Sequence, residues 1–159
     1  MNTETLLVQR SKEGDLDSFN QLVELYQSYV YNLSFRMLRN ESSAADATQE
    51  TFLSAYRAIS GFRGGSFRSW ILRIAANTCK DMMRAAKARP SASLEELEAS
   101  AFALPQSNAE LPEAYATRME LASEIQKGLD TLPHDQKLAV VLIDIQGFSY
   151  EDAATVMST

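Results

Sequence analysis

DLDSFNQLVELYQSYVYNLSFRMLR, residues 15–39, sets Phe19, Leu22, Val23, Tyr26, Val30, Leu33 and Met37 at alternating three- and four-residue spacing. Side chains three or four apart share one face of an α-helix, so this segment carries one apolar stripe and is otherwise polar. The spacing predicts a long amphipathic helix from about Asp15 to Arg39. Asp15 or Asp17 can cap it, since a short carboxylate accepts the unpaired amides of the first turn. Asn40 is expected to end it in the left-handed conformation.

Outward from this helix the same period recurs. Ser42 or Ser43 opens a second helix to about Ile59, with Ala45, Phe52, Ala55, Tyr56 and Ile59 expected inside. Ser60–Ser66 reads as a loop, because three Gly within five residues are costly inside a helix. A third helix follows from Phe67 to about Arg84, buried through Phe67, Trp70, Ile71, Ile74, Ala75, Thr78 and Met82. Residues 85–112 then turn to Ala, Ser, Pro and Glu with no apolar stripe, which is linker composition. After Pro112 one helix carries Tyr115, Leu121, Ala122, Ile125 and Leu129. The next starts near Pro133 and buries Leu138, Val141, Leu142 and Ile145 before stopping at Gly147. Ser149-Tyr-Glu-Asp152 resembles a capping box that opens a last helix holding Ala153, Ala154, Val156 and Met157. Strand signals are nearly absent. The expectation is an all-α chain of two small helical domains, 1–88 and 113–159, joined by a flexible linker over 89–112.

With 159 residues, 45% apolar and 23% charged, the composition is that of a globular protein. No apolar run is long enough to span a bilayer, and Arg10, Lys12 and Glu13 stand where a signal peptide keeps its apolar stretch. A lone Cys79 excludes an internal disulfide framework, and with His134 as the single His a zinc site is not expected. The reading is a cytoplasmic chain without metal, cofactor or membrane insertion.

The net charge of −6 hides a partition: −3 over residues 1–60, +6 over 61–90 and −9 over 91–159. A basic block between acidic segments points to local contact with a polyanion, and to an acidic surface for a basic partner or for self-contact. Within the block, Arg73, Asn77, Lys80 and Arg84 lie within about 60° on one helix face, at 100° per residue. Arg and Lys suit phosphates, and an Asn can pair with a base edge. Phe62 and Arg63 in the Gly-rich loop form an aromatic–cation pair of the kind that stacks on unpaired bases. On the second helix Asp46, Gln49 and Glu50 form an exposed acidic-amide patch. An open helix face gives carboxylates no cleft to separate their pKa values, so the patch suits docking rather than acid–base catalysis.

The segments DATQETFLSAY over 46–56, FRG over 62–64 and WILRIAAN over 70–77 together resemble region two of the extracytoplasmic-function sigma factors, promoter-specificity subunits of bacterial RNA polymerase. LDTLP over 129–133 and GFSYEDAA over 147–154 are similar to the start of the family's region four. The resemblance implies that Asp46, Gln49 and Glu50 dock on the clamp helices of the polymerase's largest subunit. It implies that the loop 60–66 and the following helix capture the melted minus-ten strand, with a base extruded into a protein pocket. Phe62, Arg63, Ser66, Arg73, Asn77, Lys80 and Arg84 are the candidate DNA contacts, and an anti-sigma factor is the expected regulator. Region four should hold a helix-turn-helix, and Val156-Met-Ser-Thr159 reaches its first helix, so the chain is expected to lack the recognition helix. The rival reading is an acidic helical module or decoy that binds polymerase or an anti-sigma factor without reading promoters. Nothing in the sequence supports an enzyme.

Overall fold

The computed structural model describes residues 2–88 and 112–157, and every described element is helical. The elements are α1 (Thr3–Lys12), α2 (Leu16–Leu38), α3 (Glu41–Ala58) with a 3₁₀ turn (Ile59–Gly61), α4 (Phe67–Ala88), α5 (Pro112–Asp130), α6 (His134–Val140) with a π turn (Val141–Ile145), and α7 (Tyr150–Met157). The segment expected to be a linker falls, over 89–111, outside the described residues.

The α2 stripe behaves as its spacing requires: Phe19, Leu22, Tyr26, Val30, Leu33 and Met37 are all buried. They meet Ile71, Leu72, Ala75 and Cys79 of α4 and Ala47, Phe52 and Ala55 of α3. Asp15 is the N-cap of α2, but its carboxylate accepts from the Ser18 hydroxyl at 2.6 Å rather than from a backbone amide.

Three expectations are corrected, and one element is added that the sequence reading did not cover. The left-handed residue ending α2 is Arg39, at φ 61°, not Asn40. Only Arg39 and Asn40 link α2 to α3, and Asn40 is needed in extended backbone so that its Oδ1 can accept from Ser43 N at 2.8 Å. On α3 the buried row is Ala44, Ala47, Thr51, Phe52 and Ala55, while Ala45 and Tyr56 are exposed. On α5, Leu121 and Ile125 face out, and Ala122, Gln126 and Leu129 face in. Finally, residues 3–12 form α1, which packs on α2 through Leu7 and Val8. Two buried apolar residues in ten left too faint a stripe for its period to be read.

The α5–α7 segment packs on the α1–α4 bundle chiefly through α7 against α4, and a polar clasp adds to this at the C-terminal end of α2. Gln126 Nε2 donates to Arg36 O at 3.2 Å, and Lys137 Nζ donates to Met37 O at 3.2 Å. Asp130 lies between them, paired with Lys137 at 3.2 Å and with Arg39 at 2.5 Å. The last carbonyls of a helix lack intrahelical donors and carry the negative end of its dipole, so cationic and amide donors are favoured there. Burial depresses the Lys137 ammonium pKa, and Asp130 offsets part of that effect. Ser149 caps α7 as expected, its hydroxyl accepting from Asp152 N at 3.0 Å.

Candidate functional site

Two surfaces combine the sequence candidates. On α3, the inward row leaves Asp46, Gln49 and Glu50 on the solvent side, and all three are exposed. Beside them runs an open groove of about 1030 Å³, walled by Leu16, Phe19, Val23 and Tyr31 of α2 and by Gln49, Leu53 and Tyr56 of α3. Leu16, Leu53 and Tyr56 are 53%, 45% and 41% exposed, so the groove is an apolar strip edged by the acidic-amide patch. A contiguous apolar strip with a polar rim marks a protein-contact surface. The patch was legible from sequence, but the groove was not: Tyr56 fits a buried spacing, and only the phase of α3 turns it outward.

The second surface starts at the Gly-rich loop. Gly64 and Gly65 take φ values of 95° and 84°, which side chains with a Cβ rarely adopt. The Ser66 hydroxyl accepts from Ser69 N at 3.1 Å and starts α4. The loop borders a cleft of about 480 Å³, closed on one side by Trp70 and Arg73 of α4 and on the other by Asp152 and Thr155 of α7. Along α4 beyond the cleft, Asn77 and Arg84 are exposed and Lys80 is half-buried. The strip expected from helical spacing is therefore on the surface and runs on from the cleft.

Phe62 lines the cleft but is more buried than a stacking role leads one to expect. Its ring is 7% exposed and packs on Phe67 at 5.9 Å and Trp70 at 5.1 Å between centroids. Most of the ring is taken up by these core contacts, and Arg63 of the pair stands in solvent. Trp70 shares this cluster, lying 5.5 Å from Phe67.

Sequence reasoning missed Arg68. Its guanidinium lies over Phe148 at 4.2 Å and Tyr29 at 4.7 Å, and it donates to Gln146 O at 2.6 Å. Of the seven basic residues in the central block, this one is spent on fastening α7 and its preceding turn to α4. The sequence carried no local signal for it, because the bond to Gln146 spans 78 residues. Cys79 is buried as expected, and burial pushes its thiol up to about 11, away from reactivity.

Residues 22–89 match the family Sigma-70 region 2. Over 157 residues the chain is 38% identical to the RNA polymerase sigma-H factor of Pseudomonas aeruginosa, covering 95% of this chain and 80% of the relative. The chain is an extracytoplasmic-function (ECF) sigma factor. It is also 36% identical over 159 residues to the ECF RNA polymerase sigma-E factor of Escherichia coli K12, covering 98% of this chain and 83% of the relative. Among solved structures, an engineered region 2 of sigmaE in complex with GTAAAA is 37% identical, with a TM-score of 0.53, and covers 57% of this chain and 95% of that one. CnrH in complex with the cytosolic domain of CnrY shares the fold at 24% identity and a TM-score of 0.70, covering 98% of this chain and 83% of that one. In this ECF sigma factor the region 2 match takes in the α3 patch, the Gly-rich loop and α4, and leaves out α1.

Proposed function

We propose that this sigma factor docks on core RNA polymerase through α3 and captures the melted minus-ten strand of its promoters with the loop 61–66 and α4. The observation that carries the reading is the continuity of the second surface. A cleft beside two positive-φ glycines leads directly onto Arg73, Asn77, Lys80 and Arg84. A cleft of that size takes one unstacked base, and the cationic strip suits the phosphates that follow it. Asn77 is placed to read a base edge, while Lys80 and Arg84 supply charge without sequence preference. The sigmaE relative complexed with GTAAAA supports single-stranded DNA as the ligand.

Docking follows from the other surface. Asp46 and Glu50 present negative charge to a basic partner, Gln49 adds a neutral hydrogen-bonding amide, and the apolar groove beside them takes a partner's side chains. The clamp helices of polymerase are the partner the family resemblance names. Residues 1–88 would form the domain that meets polymerase and minus-ten DNA, with region four over 113–159. Both roles are binding roles, with polymerase itself supplying the chemistry, so the protein acts in the cytoplasm and not as an enzyme. No described helix is long and apolar enough to cross a membrane. An anti-sigma factor is the regulator the family resemblance names.

One observation favours the rival reading of a holding module: α7 walls the capture cleft with Asp152 and Thr155. The two readings part at the bases. Single-stranded GTAAAA binding by the whole chain should weaken steeply with salt, as phosphate neutralisation requires. Asn77→Ala should relax base preference, and Lys80→Ala should weaken all sequences alike and flatten the salt slope by about 0.7. Equal losses for both variants across scrambled strands would remove Asn77 as a reader and favour the module.

A further inference from the structure

We propose that Lys12, on α1 and outside the region 2 match, is a positioning residue for the capture loop. Its ammonium holds the Phe62 carbonyl and thereby sets the direction in which Arg63–Ser66 leave the core. The inference rests on the capture reading above and adds a residue that reading did not use.

Lys12 Nζ donates to Phe62 O at 2.7 Å, between residues 50 apart in sequence. A hydrogen bond from a charged donor is shorter and stronger than one between neutral groups, so it fixes a peptide plane firmly. The holder is itself fixed. Leu7 and Val8 seat α1 in the core, the Tyr26 hydroxyl donates to Glu4, and α1 lies against the 3₁₀ turn that leads into the loop. Lys12 is also in the last turn of α1, where helix carbonyls favour a cation.

The loop needs an external hold because it has little of its own. Phe62 N donates to Ile59 O at 3.0 Å, and its ring is buried against Phe67 and Trp70. Beyond Phe62, residues 63–66 are all exposed. A Cβ added at Gly64 or Gly65 would meet nothing within 4 Å, so no packing constrains the tip. The Phe62–Arg63 peptide is therefore the last unit held by the fold before the exposed part of the loop, residues 63–66, which lines the cleft. Freed from Lys12, that peptide could rotate about its flanking bonds, and Arg63, Gly64 and Gly65 would swing with it. Lys12 does not line the cleft. Its action on DNA runs through the carbonyl.

The test uses the whole chain with Lys12→Met and Lys12→Arg, titrated with single-stranded GTAAAA and with a scrambled strand of the same composition across a range of salt. Lys12→Met keeps the aliphatic stem and removes the donor. It should lose about tenfold in GTAAAA affinity, equivalent to about 1.4 kcal/mol. It should also shift the affinity ratio of the two strands, leave the salt slope unchanged and leave core polymerase affinity unchanged. Lys12→Arg, which keeps a cationic donor, should recover most of the loss. Undiminished binding by Lys12→Met overturns the inference. So does a salt slope lowered by about 0.7, which would make Lys12 a direct phosphate contact. Equal loss on both strands that Lys12→Arg does not repair overturns it too, since that is the signature of general destabilisation. If the wild-type chain binds neither strand, the capture reading falls and takes this inference with it. Wild-type binding matched by Lys12→Met removes this inference alone.

Discussion

The α1–α4 bundle and the α5–α7 segment share one apolar core, yet they differ in how they meet α2. In the bundle, 23-residue α2 presents Leu22, Val30 and Leu33 at 0% exposure to α3 and α4, so apolar burial dominates. The α5–α7 segment adds Leu138, Val141, Leu142 and Phe148 to the same core and packs α7 on α4, and at the C-terminal end of α2 it adds polar contacts from Gln126, Asp130 and Lys137. Apolar packing is insensitive to which partner supplies the surface, whereas a buried cation tolerates no loss of its counter-charge. The bundle thus carries both functional surfaces, and the second segment is attached to it by apolar packing of α7 on α4, reinforced by a few polar contacts at the end of α2.

The largest expected effect falls on the bundle. Leu33→Ala should cost about 3–4 kcal/mol of global stability through lost burial and a residual cavity. Urea unfolding followed by circular dichroism measures it, and an unchanged midpoint would show that Leu33 is not a mainstay of the core. Next, Asp130→Ala leaves the Lys137 ammonium facing only the Met37 carbonyl. That should weaken attachment of the segment by about 2–3 kcal/mol. Amide exchange should accelerate over residues 134–157 far more than over 16–38. Because α7 walls the capture cleft, the same variant should bind single-stranded GTAAAA more tightly than the wild type.

Arg68→Ala removes the guanidinium from between Tyr29 and Phe148 together with its bond to Gln146 O. About 1–2 kcal/mol of local stability should go, read as faster exchange at 146–157. The smallest effect concerns acid. His134 is half-buried and its pKa lies below the ordinary value, chiefly through burial, with Lys80, Lys137 and Arg84 adding repulsion. Between the folded and unfolded pKa values the unfolded chain binds more protons, so stability falls as pH drops below about 6.5. His134→Gln should flatten that part of the stability–pH curve, and an unchanged curve would remove His134 from the account.

The same contrast explains what could be read from sequence. Rows such as Phe19 to Met37 announce their helix because burial repeats with the helical period. The surface strip from Arg73 to Arg84 follows from the same arithmetic, and the capping Ser149 from side-chain chemistry. What escaped was set by contacts remote in sequence. Arg39 takes the left-handed position because Asn40 must cap α3, and Phe62 turns inward because Phe67 and Trp70 leave it a place. Arg68, Lys12 and the clasp at Asp130 pair residues between 50 and 100 positions apart where they cross the fold, or sit on an element too short to show a stripe. For the α3 face, Asp46, Gln49 and Glu50 were visible as exposed polar residues, but the groove beside them depends on the phase of α3 against α2.

That face offers the most direct measurement of the central claim, that docking and DNA capture occupy separate surfaces of one rigid bundle. The double variant Gln49→Ala, Glu50→Lys changes only exposed side chains, so its helicity and its affinity for single-stranded GTAAAA should match the wild type. Its affinity for core RNA polymerase, measured by co-purification and by fluorescence titration, should be lost. Unchanged affinity for core polymerase would contradict the account, because the α3 face would then have no part in docking.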